Sequence, residues 1–134
     1  MFVLAENHYL AICGGLSKLP FADELNIWCY ARVDTIKPDT LKLLRSAGIR
    51  WICLGIESGS SYVRDGSHKT IDDGDIHYAV KEIQKAGINV LGNFIFGLPD
   101  DTIQSKQATL DLAKSIECEY SNYYAAQGYP GSKL

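Results

Sequence analysis

The sequence predicts an α/β protein built on a parallel sheet, and three observations predict it. Short apolar runs alternate with segments whose apolar residues recur at helical spacing. Within the runs, hydrophobic residues stand at consecutive positions, as they do in strands covered on both faces. Ala47-Gly48-Ile49 is echoed by Ala86-Gly87-Ile88, 39 positions later, each time where a helix would end in a left-handed glycine and a strand begin. The chain therefore reads as a β/α unit repeated four times, plus a final strand. A closed eight-unit barrel takes about 250 residues, too many for 134. A partial barrel or a flavodoxin-like open sheet fits, and periodicity does not choose between them.

Each element follows from local chemistry. Phe2 to Ala5 is a short apolar run that reads as a strand ending at Glu6-Asn7. Residues 8–18 read as a helix capped by Asn7, with Leu10, Cys13 and Ser17 on one line. Gly14 and Gly15 weaken it by roughly 1 kcal/mol each relative to alanine. Asn26 to Asp34, rich in aromatic and β-branched residues, reads as a strand. Pro38 opens a helix at its first position, Asp39 complements the positive end of the dipole, and Leu41, Leu44 and Ala47 supply the stripe that Gly48 stops. Arg50 to Ile56 is a buried strand ending at Glu57. Thr70 and Asp73 suggest a capping box. Ile76, Ala79, Val80 and Ile83 then give the best helical period in the chain, and Gly87 ends it. Asn89 to Phe96 is another buried strand, broken by Gly97-Leu98-Pro99. Asp101 caps a helix bearing Ile103, Leu110, Ala113 and Ile116, and a last strand covers about Tyr120 to Ala126.

Composition narrows the class. Lys+Arg 13 against Asp+Glu 16 gives a net charge of −3, and 46% hydrophobic with 22% charged residues is ordinary globular composition. The negative balance argues against a nucleic-acid-binding surface as the main business, without excluding nucleic acid as a substrate. No run approaches the about 20 apolar residues that a membrane helix needs, and no basic segment suggests a secretory signal. Cys13, Cys29, Cys53 and Cys118 show no metal-knuckle or redox-pair spacing. They read as buried free thiols of a cytoplasmic protein, and no metal site is visible.

In parallel α/β architectures ligands bind at the carboxyl ends of the strands. The corners there read Glu6-Asn7, Arg32-Val-Asp34, Glu57-Ser-Gly-Ser60, Gly97 to Asp101 and Tyr129-Pro-Gly131. Asp, Ser, Gly and Pro are also what ordinary turns use. Glu57 stands out, because it directly follows a wholly apolar strand and precedes small residues. A carboxylate so placed can accept from both hydroxyls of a ribose, or it can cap a helix or join an ion pair.

Gly55-Ile-Glu-Ser-Gly-Ser60, Lys69-Thr70, Asn93-Phe-Ile-Phe-Gly-Leu-Pro99 and Tyr129-Pro-Gly-Ser132 together resemble the radical S-adenosylmethionine (SAM) superfamily. The branch is the one whose members often carry an upstream cobalamin-binding domain. Ala31-Arg-Val-Asp34 and Ala47-Gly48 match as well, so the likeness runs from about Phe2 to Leu134 in one order. The resemblance implies a single domain, 1–134, forming the C-terminal part of an incomplete (β/α)6 barrel with its second to sixth strands. It implies SAM as ligand. Glu6 and Asn7 would approach the methionyl amino group and Glu57 with Ser58 the ribose, Phe94-Ile95-Phe96 and Tyr129-Pro130-Gly131 would flank the adenine, and Asn93 would be a further cofactor-binding residue. Arg32 would meet the SAM carboxylate, its guanidinium being suited to a bidentate carboxylate, or it forms an ordinary ion pair.

The departure from the family pattern is the CxxxCxxC loop, which is not in this sequence. Three clustered thiolates ligate a 4Fe-4S cluster and leave its fourth iron for SAM, and four dispersed cysteines do not replace them. The expectation is a piece of a radical SAM enzyme that is inactive alone. It would depend on an N-terminal segment of the same protein for cluster ligands and act on a substrate the sequence does not identify, with cobalamin possible through an upstream domain. The competing expectation is a non-catalytic nucleotide-binding or interaction module of the same fold. An unrelated flavodoxin-like regulator ranks last, for want of a clustered acidic pocket.

Overall fold

The computed structural model describes residues 2–64 and 71–131. Four strands, β1 (Ile27–Arg32), β2 (Ile49–Glu57), β3 (Asn89–Phe96) and β4 (Tyr120–Ala125), lie in one sheet in that order. All three neighbouring pairs are parallel. The helices are α1 (Glu6–Leu16), α2 (Pro38–Ser46), α3 (Ser61–Arg64), α4 (Asp73–Lys85) and α5 (Ile103–Ser115). The sheet does not close: β1 and β4 are its edges. This is the parallel sheet that the alternating texture predicts, and the unclosed arrangement fits the incomplete barrel that the resemblance implies.

Because side chains alternate along a strand, the register separates two faces. Cys29, Ala31, Ile52, Leu54, Ile56, Val90 and Phe94 point to the helix side and join Cys13, Leu41, Leu44, Ile76, Val80, Ile83 and Leu112 in one buried core. The opposite face carries Trp28, Tyr30 and Arg32 on β1, Trp51, Cys53 and Gly55 on β2, Asn93 and Ile95 on β3, and Asn122 and Tyr124 on β4. It is open: Trp28 is 53% exposed and Tyr30 59%. Trp28 stacks on Trp51 with ring centroids 5.1 Å apart.

Helix boundaries follow the sequence with three corrections at their starts. Gly48 and Gly87 adopt φ of 89° and 75°, the left-handed conformation that ends α2 and α4. Pro38 stands in the first turn of α2. The α4 cap is Asp72, whose side chain accepts from the Asp75 N–H while Asp75 accepts from the Asp72 N–H; Thr70 lies outside the described residues, as do Lys69 and Ser132. The α5 cap is Thr102, reciprocated by Ser105. Asp101 instead accepts from the Gly97 N–H at 2.7 Å and from the Ser105 hydroxyl. Ala5, not Asn7, is the α1 cap, and the helix starts at Glu6.

Phe2–Leu4 is a 3-10 turn, not a strand. A strand needs a partner ladder, and here the chain turns at once into α1, the Ala5 carbonyl accepting from the His8 and Tyr9 N–H groups. Val3 is buried and the Phe2 ring meets the Tyr9 ring at 6.0 Å. The apolar run is therefore used as packing at the side of β1, and the sheet has four strands where five were expected.

Candidate functional site

In a parallel sheet all carboxyl ends fall on one edge, and the register aligns the corners along it. Arg32 pairs with Gly55, Gly55 with Asn93, Glu57 with Phe94, and Phe96 with Ala125. Three strand spacings of about 4.8 Å each separate the two ends of the row.

The Glu57 corner is the most unusual backbone in the site. The register shifts between Gly55 and Glu57, so two residues of β2 oppose one of β3, a bulge that re-aims a side chain. Glu57 has φ of 68°, and the Ser58 N–H donates to the Ile56 carbonyl at 2.9 Å. A three-residue turn with a positive central φ is rare and strained. Such strain at a non-glycine residue gathers at functional sites. The turn sends the carboxylate back over Gly55, where a Cβ would lie 2.9 Å from Oε1. Burial there pushes the Glu57 carboxyl above its ordinary pKa.

The other sequence-predicted residues divide. Ser58 is 1% exposed, and its hydroxyl lies 3.3 Å from that of Thr109 on α5 and accepts from the Ser60 N–H. It secures the corner from inside instead of facing the mouth. Asn93 sits half-buried beside Gly55 and Asn122, on the open face. The Phe96 ring lies on the helix side, parallel to Tyr123 at 5.6 Å, so its main chain, not its ring, borders the open face. Tyr129, Pro130 and Gly131 are exposed. Tyr129 joins Ile95, Leu98, Tyr124 and Gln127 around a cleft of about 390 Å³ at the ends of β3 and β4.

At the other end of the row, Arg32 donates from Nε and Nη2 to both oxygens of Asp34, at 3.0 and 3.1 Å. The guanidinium is held in a fork but already has a carboxylate. Glu6, in the first turn of α1, accepts from Lys37 Nζ at 2.5 Å. This contact brings α1 to the loop that follows β1, and it raises the Lys37 pKa through the hydrogen bond and the charge of Glu6. Asn7 is exposed on α1.

Three residues that sequence reasoning did not single out hold the corner. Arg64 donates to the carbonyls of Ser58 and Ile71 and to Asp73 Oδ1. Thr109 accepts from the Gly59 N–H at 2.8 Å. Gly55 underlies the carboxylate. An arginine in a four-residue helix has no sequence signal that separates it from a surface charge. Thr109 had one: Ser105 and Thr109 stand on the buried line of α5 with Leu112 and Ala113.

The four thiols lie on separate segments of the chain. Among the described residues no three His, Cys, Asp or Glu come together. Burial pushes the Cys29 and Cys118 thiols up to about 12. Also among the described residues, no helix is long and apolar enough to cross a membrane.

The comparisons with known proteins agree with this fold. The family model of the radical SAM superfamily matches residues 11–113. An uncharacterized methyltransferase of Pyrococcus horikoshii is 34% identical over 104 residues, which are 78% of this chain and 23% of that protein. The chain thus spans about a quarter of the length of such relatives. Among solved structures, TsrM, a radical SAM methyltransferase from Kitasatospora setae with cobalamin and a [4Fe-4S] cluster bound, superposes with a TM-score of 0.81 at 18% identity. It covers 92% of this chain and 24% of its own. Methylornithine synthase gives 0.74 at 16% identity, over 98% of this chain and 37% of its own.

Proposed function

Because the chain belongs to the radical SAM superfamily, we propose that the carboxyl edge of its sheet is the adenosyl-binding wall of a radical SAM enzyme. Residues 1–134 would form the later part of that enzyme's core domain. The observation that carries the reading is Glu57: a half-buried carboxylate on a strained turn, mid-row between Arg32 and the Tyr129 cleft. Glu57 accepts from the ribose hydroxyls. The cleft walled by Ile95, Leu98, Tyr124 and Tyr129 takes the flat adenine, whose faces suit apolar and aromatic walls. Arg32, oriented by Asp34, and Glu6 with Asn7 bracket the methionyl end. Bound at a reduced 4Fe-4S cluster, SAM supplies adenosyl radical chemistry in this family. The contribution of this chain is binding and orientation, with the cluster ligands lying outside its described residues. We assign cobalamin to none of them. The free thiols fit a reducing compartment such as the cytoplasm.

The test is calorimetric titration of the chain with SAM and with S-adenosylhomocysteine. Weak binding that Glu57→Ala reduces roughly tenfold is the expected result, since a hydrogen bond to a charged group is worth about 1.5–3 kcal/mol. Equal affinity for Glu57→Ala and the parent chain would refute the ribose role.

A further inference from the structure

We propose that Gly55 is the positioning residue of the site, its missing side chain forming the seat in which the Glu57 carboxylate rests. This deepens the ribose-binding reading of Glu57 and rests on it for its consequence in affinity. The geometry of the seat stands independently.

Three observations converge. A Cβ placed on Gly55 would sit 2.9 Å from Glu57 Oε1 and 4.0 Å from Glu57 Cδ, and among the described residues, its own chain neighbours aside, nothing else lies within 4 Å. Among the described residues, the space that a side chain would fill is therefore occupied by this carboxylate. The bulge and the positive φ of Glu57 are what fold the side chain back onto its own strand. The ladder also fixes the neighbours: Arg32 of β1 and Asn93 of β3 pair with Gly55 on its two sides. Arg32 is engaged by Asp34, and Asn93 is uncharged. Close by on the chain, Arg64 is engaged at the Ser58 carbonyl and at Asp73. The carboxylate thus keeps one direction because the glycine leaves it room, with Arg32 and Arg64 bound to other partners.

Gly55 differs in kind from Gly59, where a Cβ would meet α5 backbone atoms at 2.4 to 2.6 Å. At Gly55 the only obstacle among the described residues is the far end of a flexible side chain. Gly55→Ala should therefore leave the fold intact and move only the carboxylate, outward into solvent.

The test has two arms on the full chain. In the first, the Glu57 carboxyl resonance is titrated by NMR in the parent chain and in Gly55→Ala, with thermal melts of both. The expected result is a lower midpoint in Gly55→Ala, returned towards the ordinary carboxylate range, and melting unchanged near pH 4, where the carboxyl is protonated in both chains. An unmoved midpoint would overturn the proposal. A collapse of the fold would also overturn it, since that would mean the methyl group meets something other than this carboxylate. In the second arm, S-adenosylhomocysteine affinity is measured for Gly55→Ala, Glu57→Ala and the double variant. Gly55→Ala should weaken binding severalfold in the parent and have no effect once Glu57 is alanine. Equal losses in both backgrounds would show that Gly55 acts independently of Glu57. If the parent chain does not bind S-adenosylhomocysteine, the adenosyl reading fails, while the titration still decides the seat.

Discussion

The guanidinium of Arg64, whose side chain is only 7% exposed, donates 2.7 Å to the carbonyl of Ser58. The same group reaches the Ile71 carbonyl and Asp73, so one buried cation ties the end of β2 to the start of α4. Truncating it leaves the part-buried carbonyls of Ser58 and Ile71 without that donor. Arg64→Met should destabilise the chain by about 2–4 kcal/mol, and Arg64→Lys should recover only part, because an ammonium lacks the planar fork. Chemical denaturation checks both; a change under 0.5 kcal/mol, on the order of an ordinary surface substitution, would show that the corner does not need the tie.

Gly59 lets α5 come against the Glu57 corner. Its N–H donates to Thr109, and a methyl group there would collide with the main chain of Ala108 and Thr109. Backbone does not yield as a side-chain tip does. Gly59→Ala should cost about 1–3 kcal/mol and loosen the corner. Denaturation midpoints of Gly55→Ala and Gly59→Ala measured side by side should separate, with only the second falling.

Glu57 should make stability fall as pH rises. Burial raises its native pKa above the ordinary value of 4.5, so between these two values the native state holds more protons than the unfolded chain. Stability then declines through that window and stays lower above it. Glu57→Gln removes the effect. Relative to the parent it should melt at the same temperature near pH 4 and higher at pH 8. A difference that is constant across this range, or of opposite sign, would show that the carboxylate is not desolvated.

The β1 edge is paired by no strand among the described residues, and Trp28 and Tyr30 beside it are largely exposed. Unpaired edges with apolar neighbours associate. The isolated chain should form concentration-dependent oligomers in sedimentation experiments, and Tyr30→Lys should shift it towards monomer. A chain that stays monomeric at high concentration would contradict this.

The parallel order of the strands was legible because its causes are local: doubly apolar runs, the glycine stops after Ala47 and Ala86, and helical periods such as Ile76 to Ile83. The Phe2 strand misled because an apolar run of that length serves equally as packing, and only a partner strand decides between the two uses. Glu57 was legible as a carboxylate at a strand end. Its seat on Gly55 was not, because that follows from a bulge and a positive φ set by long-range pairing. Ser58 and Phe96 stand at the carboxyl ends of their strands, yet their side chains turn to Thr109 and Tyr123 on the helix side. Alternation predicts that for Phe96, two positions from the buried Phe94.

The most direct measurement is a map of backbone amide shifts as S-adenosylhomocysteine is added to the full chain. The account predicts changes concentrated at residues 55–58, 93–98 and 125–131, with smaller ones at Arg32 and Glu6. Changes gathered elsewhere, for instance between α2 and α4, or no changes at millimolar ligand, would contradict it.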